Sequence, residues 1–180
     1  MQSNRKQEIY AHFEQNAGDY LQYRKRFSYY GKDIINYLNF FISESDTVLE
    51  IGCGNGDTIH HLKGKEKTGI DFSPKMIEVA KANFSDVDFL VMDAENIKLE
   101  KKFDVIIFNN IIGYLENVQD VFYAIKKNCH EHTRVIISYY NHYWQPLLNL
   151  GETIGYKKKS PQQNWLDTKD ISNLLYLSGF

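Results

Sequence analysis

Five short apolar runs punctuate the chain: "VLEI" from Val48, "KTGID" ending at Asp71, "VDFLVMD" from Val87, "FDVIIFNN" from Phe103 and "TRVIISYY" from Thr133. They are rich in β-branched and aromatic residues, and their length is that of strands. Between them the apolar positions recur at helical spacing. Helices are predicted over Asp57 to Lys63, from Ser73 in "SPKMIEVAKANF", from Asn117 in "NVQDVFYAIKKNC", and in the late "DISNLLYLSGF". Ser73 followed by Pro74 is a strong helix start, because the hydroxyl caps free amides and proline at the first position loses no hydrogen bond. Alternation of strand and helix predicts an α/β domain with a parallel sheet. Residues before Ser45 differ: they are aromatic-rich, helical in period and without a β-branched run, which predicts an N-terminal helical cap over 1–44 in front of a core over 45–180.

Composition narrows the picture further. A chain of 180 residues with 43% hydrophobic and 24% charged residues suits a single domain, and a net charge of −2 gives no electrostatic reason to expect a nucleic-acid partner. No apolar segment has signal-peptide or membrane-spanning length, so no membrane association is expected and the cytoplasm is the default compartment. Cys53 and Cys129 make no disulfide framework, and the histidine pairs lack metal-ligand spacing. The lysine run Lys157 to Lys159 reads as a solvated loop.

The chemistry lies in "EIGCGNGD", from Glu50 to Asp57, where a strand ends in three alternate glycines and a helix begins. Such a turn lets backbone amides approach a ligand with no side chain between. The dinucleotide fingerprint G-x-G-x-x-G is not met, because its third position falls on Asp57. The pattern instead resembles E/D-x-G-x-G-x-G, the first motif of class I S-adenosylmethionine-dependent methyltransferases, with every specified position present. Asp71 closes the second strand and "FLVMDAENI" and "FDVIIFNNIIGYL" follow in the family's order, so the similarity spans about Val48 to Leu115.

The resemblance implies a Rossmann-like open parallel sheet of order 3-2-1-4-5, with helices on both faces, and S-adenosylmethionine as cofactor. It implies that Gly52, Cys53 and Gly54 pass beneath the methionine portion, that Gly56 opens the following helix, and that Glu50 faces the ammonium. It places Asp71 on the ribose hydroxyls, Asp93 on the adenine amine, the Ala94 amide on the ring, and Asn109 in the loop below the methionine moiety. Phe72 and Met76 suit apolar walls for adenine, and plain core packing would use them equally well. Tyr20 and Arg24, one helical turn apart, suit either the carboxylate end of the cofactor or a surface pair.

The acceptor is reached by subtraction. Phe108-Asn109-Asn110-Ile111 lacks the prolines of amino-methylating enzymes acting on nucleobases or glutamine. Neither cysteine is placed to attack a cytosine ring. Metal-assisted relatives carry E-x-x-E-H where this chain has Asn110, Gly113 and Tyr114, which predicts no metal. A small-molecule acceptor remains, bound near the aromatic run "SYYNHYWQPLLNLGE", where Tyr139, Tyr140, His142, Tyr143 and Trp144 suit a pocket and His142 or Tyr114 a proton acceptor. A structural role for His142 fits the same residues. Two alternatives stand beside this reading: a nucleotide-dependent Rossmann oxidoreductase, and a non-catalytic cofactor-binding module of a longer protein. Similar enzymes end in an antiparallel hairpin beside strand five, and the sequence stops at "LLYLSGF"; the expectation is a sheet without that hairpin. Its strand-five edge would be covered by the C-terminal segment or by self-association with a second chain.

Overall fold

The computed structural model describes residues 3–26, 28–140, 143, 145–155 and 159–180, with the side chains of residues 19–28 outside the description. The central strand β1 (Thr47–Ile51) lies between β2 (Glu66–Asp71) and β4 (Val105–Asn109). β3 (Asp88–Val91) flanks β2 and β5 (Arg134–Ser138) flanks β4, giving a five-stranded, wholly parallel sheet of order 3-2-1-4-5. A parallel sheet is covered on both faces, and β4 accordingly is apolar from Val105 to Phe108, while β1 is apolar but for Thr47 and the buried Glu50.

Alternation along β1 divides the core. Leu49 and Ile51 join Ile106 and Phe108 beneath α5 (Val118–Ile125) and α7 (Thr168–Leu177), through Val121, Phe122 and Ile171. Val48 points to the other face, with Val105 and Ile107, and meets Leu38 and Ile42. Those two belong to α2 (Ser28–Phe40) and the bend after it, so the second half of the predicted cap is a sheet-covering layer. α1 (Asn4–Arg26) packs on α4 (Pro74–Asn83), the helix whose Ser73 hydroxyl accepts from the Met76 amide at 3.2 Å as the sequence predicts.

Two helices differ from expectation. The one after the glycine turn, α3 (Asp57–His60), is a single turn rather than a run to Lys63. α6 (Gln145–Thr153) forms where the sequence suggests only an aromatic loop, with Pro146 in its first turn, where a missing amide costs nothing. α7 starts on a capping box between Asp167 and Asp170, and Gly179 follows it at φ +81°, the left-handed residue expected just past a helix. β5 is the sheet's edge. Val135 and Ile137 pack on the same core cluster as Leu174 and Leu175 of α7, but among the described residues no backbone hydrogen bond from the C-terminal segment reaches the strand, so α7 covers a face and not the edge. Among the described residues no helix is long and apolar enough to cross a membrane.

Candidate cofactor and acceptor site

A cavity of about 630 Å³ opens at the C-terminal ends of β1, β2 and β4, where an open parallel sheet presents its loops. The three glycines of the turn all have positive φ, yet each answers a different demand. A Cβ on Gly52 would stand 2.1 Å from the Ile111 side chain, and one on Gly56 would stand 2.5 Å from the Phe89 ring. Those two glycines make room for protein. A Cβ on Gly54 would meet nothing within 4 Å, because this residue faces the open cavity. Gly56 does not line the cavity; it leaves room for the Phe89 ring of β3 and the Ala80 side chain of α4.

Asp71 holds the turn in place. Its two carboxylate oxygens accept from the Gly54 amide and the Ser73 amide, each at 2.9 Å. Burial pushes its carboxyl up to about 6, against the pull of those two amides, and Glu14 adds a further push. Glu50, 2% exposed, ends β1 on the same wall. Burial, then the charges of Asp71 and Glu50, raise the Cys53 thiol well above its ordinary range, so it stays protonated and unreactive. The buried Asn55 also lines the wall, and its side-chain amide nitrogen has no partner among the described residues.

Beyond β2, Phe72 and Met76 line the cavity as expected, Phe72 edge-on to Tyr10 and Phe13. Ala94 is buried beside them in the short turn that Asp93 caps by accepting from the Glu95 amide. The other oxygen of Asp93 is 2.6 Å from Lys6 Nζ, which also pairs with Glu95 at 2.6 Å. Lys6 and Arg5 carry no sequence signal beyond being basic residues at a helix start. Arg5 donates to the carbonyls of Gly113 at 2.8 Å and Leu115 at 3.1 Å, and Glu14 accepts from Ser73 Oγ at 2.6 Å. One face of α1, through Lys6, Ile9, Phe13 and Asn16, thereby walls the cavity.

At the end of β4, Asn109 donates to Thr58 Oγ1 at 3.2 Å and accepts from Ser138 Oγ at 2.6 Å, tying the ends of β4 and β5 to α3. Asn110 follows at φ +57°, the one non-glycine with positive φ among the described residues, and its amide points toward the Tyr30 hydroxyl at 3.5 Å. Tyr30 stacks on Tyr140 at 5.7 Å between ring centres, and Tyr114 accepts from Gln163 Nε2 at 2.6 Å. Tyr140 and Tyr114 thus line the cavity as the sequence suggests. Tyr139 turns away to bond Thr168 at 2.9 Å, and Tyr143 is 80% exposed. His142 and Trp144 lie outside the described residues, as do the side chains of Tyr20 and Arg24 on α1. Among the described residues no three histidine, cysteine or acidic side chains are grouped to hold a metal ion.

A family model described as a methyltransferase domain matches residues 42–176, which takes in the whole sheet and the glycine turn. The chain belongs to the methyltransferase domain family. It is 32% identical over 104 residues to the malonyl-[acyl-carrier protein] O-methyltransferase of Acetivibrio thermocellus, covering 54% of this chain and 37% of that one. It is 36% identical over 115 residues to the ubiquinone biosynthesis O-methyltransferase of Pelagibacter ubique, covering 57% and 46%. The match therefore spans less than half the length of either relative. In fold it is similar to a SAM-dependent methyltransferase from Thermotoga maritima, with a TM-score of 0.76, 20% identity and coverage of 96% and 81%. The magnesium protoporphyrin IX methyltransferase of Synechocystis PCC 6803, solved with bound SAH, gives a TM-score of 0.72 at 17% identity, covering 98% and 90%. The family is that of the methyltransferase domain, and the fold is the one shared with these S-adenosylmethionine-dependent methyltransferases.

Proposed function

We propose that this chain carries a methyl group from S-adenosylmethionine to a small-molecule acceptor, as one domain with its donor and acceptor sites in a single cavity. The observation that carries the reading is Gly54. Its amide is fixed by the buried Asp71 carboxylate while its Cα faces open space, so backbone is presented to a ligand at the point where Glu50 and Asn55 also converge. The donor set fits that cofactor: carboxylates at Glu50, Asp71 and Asp93 for an ammonium, a diol and an exocyclic amine, with Phe72 and Met76 as apolar walls.

When bound, the cofactor supplies a sulfonium methyl that needs no further activation. The residues have the remaining task of alignment and water exclusion. The face of α1 from Lys6 to Asn16 closes one side, and Asn109, braced by Thr58 and Ser138, fixes the loop that leads from the cofactor end to the acceptor end. Tyr114 is held by Gln163 and Tyr140 by stacking on Tyr30, which keeps both rings ready for an acceptor. Metal is not required in this reading, supported by Asn110, Gly113 and Tyr114, which are poor ligands for a hard cation.

Calorimetric titration with S-adenosylhomocysteine and, separately, with NAD tests the reading. Saturable binding of the former alone is expected. Binding of NAD in its place would support the oxidoreductase alternative and overturn the proposal.

A further inference from the structure

The cavity has two ends of opposite chemistry. At the end formed by the loops after β1, β2 and β3 the lining includes Glu50, Asp71, Asp93 and Glu95, and the lysine there, Lys6, is already paired with two of them. At the other end every described lining residue contributed by α2, α6 and the segments after β5 is uncharged. That wall consists chiefly of Tyr30 and Ile34 of α2, Tyr140, Leu147 and Leu150 of α6, and Ile154 just past α6.

α6 stands out from the core. None of its residues is buried, and Leu147, Leu150 and Ile154 recur at helical spacing with 57%, 55% and 69% of their surface exposed. A small stripe of large apolar side chains left to water is unremarkable alone. This one lines the same cavity as the glycine turn, so a ligand held there would cover it. An anionic acceptor would lose its water at this wall and meet no described cation, a loss that a neutral molecule does not suffer. The polar groups nearest the junction of the two ends are neutral as well: the Asn110 amide and the Tyr30 hydroxyl, 3.5 Å apart.

Resting on the methyl-transfer reading above, we infer that the methyl acceptor is an uncharged, largely apolar molecule whose single reacting hydroxyl or amine points toward Asn110 while its body lies against the α2–α6 wall. The wall then sets specificity by excluding free carboxylates of the same shape.

Two probes of one shape test this, 2-naphthol and 2-naphthoate, titrated calorimetrically into the full chain at pH 7 with and without saturating S-adenosylhomocysteine. Naphthol is expected to bind at least tenfold more tightly than naphthoate. Leu150→Asp, at a position exposed enough to tolerate the change, should weaken naphthol at least tenfold while S-adenosylhomocysteine affinity and the circular dichroism spectrum stay as in the parent. Equal or tighter binding of naphthoate, no binding of either probe, or indifference to Leu150→Asp would overturn the inference. So would a concentration-dependent association of the chain that Leu150→Asp abolishes, which would assign the stripe to a second copy. Failure of S-adenosylhomocysteine itself to bind would count against the methyl-transfer reading, and the titrations without it still judge the wall.

Discussion

Asp71 offers a sharp test, because its acidity and its contacts make a joint prediction about cofactor affinity. Burial places its carboxyl at about 6. A ribose that donates hydrogen bonds needs the ionised form, since a protonated carboxyl has less acceptor capacity and competes as a donor. With a pKa of about 6, about one molecule in eleven carries the carboxylate at pH 5 and about ten in eleven at pH 7. If only that form binds, S-adenosylhomocysteine should bind about tenfold more weakly at pH 5 than at pH 7, a difference of about 1.4 kcal/mol. The ligand's own carboxyl and ammonium keep their charge over this range. Calorimetry in two buffers of different ionisation enthalpy should register proton release near one per ligand at pH 5 and little at pH 7. Asp71→Asn should abolish the pH dependence. A parent affinity that is flat from pH 5 to pH 7 would refute the assignment of Asp71 to the ribose. Stability carries the opposite sign: a folded-state pKa raised from 3.8 to about 6 means that the contribution is intact below about pH 4 and lost as pH rises through 6. In denaturant titrations the parent should therefore lose about 2 kcal/mol relative to Asp71→Asn between pH 4 and pH 7.

The last two glycines of the turn should separate fold from function. Gly56→Ala drives a Cβ toward the Phe89 ring and should cost at least 2 to 3 kcal/mol of stability, roughly the range for overpacking, measured by denaturation. Gly54→Ala should cost only about 1 kcal/mol, from its left-handed backbone, yet lower S-adenosylhomocysteine affinity at least tenfold by filling the ligand's side of the turn; equal effects at both sites would contradict the division of labour. Once an acceptor is found, a chelator should leave turnover intact, and a rate restored only by added magnesium would show that a metal takes part. The edge of β5 should make the chain self-associate as concentration rises in sedimentation experiments, and a strict monomer at all concentrations would show the edge protected in another way.

Much of this architecture can be read from residue patterns, because buried parallel strands and a glycine turn impose local requirements. The five apolar runs became five strands in the expected order, and Ser73 and Pro74 opened α4 as drawn. The sequence pattern did not reveal the separate duties of Gly52, Gly54 and Gly56, since those depend on Ile111 and Phe89, which are distant along the chain. α6 was hidden because its apolar residues cover no core, so its pattern competes with the aromatic run before it. Lys6 and Arg5 escaped notice for a related reason: their partners are loop carbonyls and acids about a hundred residues away, and a basic residue at a helix start commonly points to water. Asn55 stood inside the motif as an unspecified position, and only burial shows its unpartnered amide.

The arrangement of α1 has a consequence for kinetics. Lys6 ties the helix to the loop after β3, Arg5 to the loop after β4, and Glu14 to the start of α4 after β2, so one helix bolts three loops along one side of the cavity. On the methyl-transfer reading, a ligand lying under that helix would leave only as these ties give way, so its residence time should depend on them as well as on its own contacts. All three ties are ionic or charge-assisted, and salt screens them to the extent that their partly buried atoms reach solvent. Exchange of spent cofactor for fresh should therefore quicken with ionic strength even where the equilibrium constant hardly moves, and turnover would follow the helix rather than the chemistry.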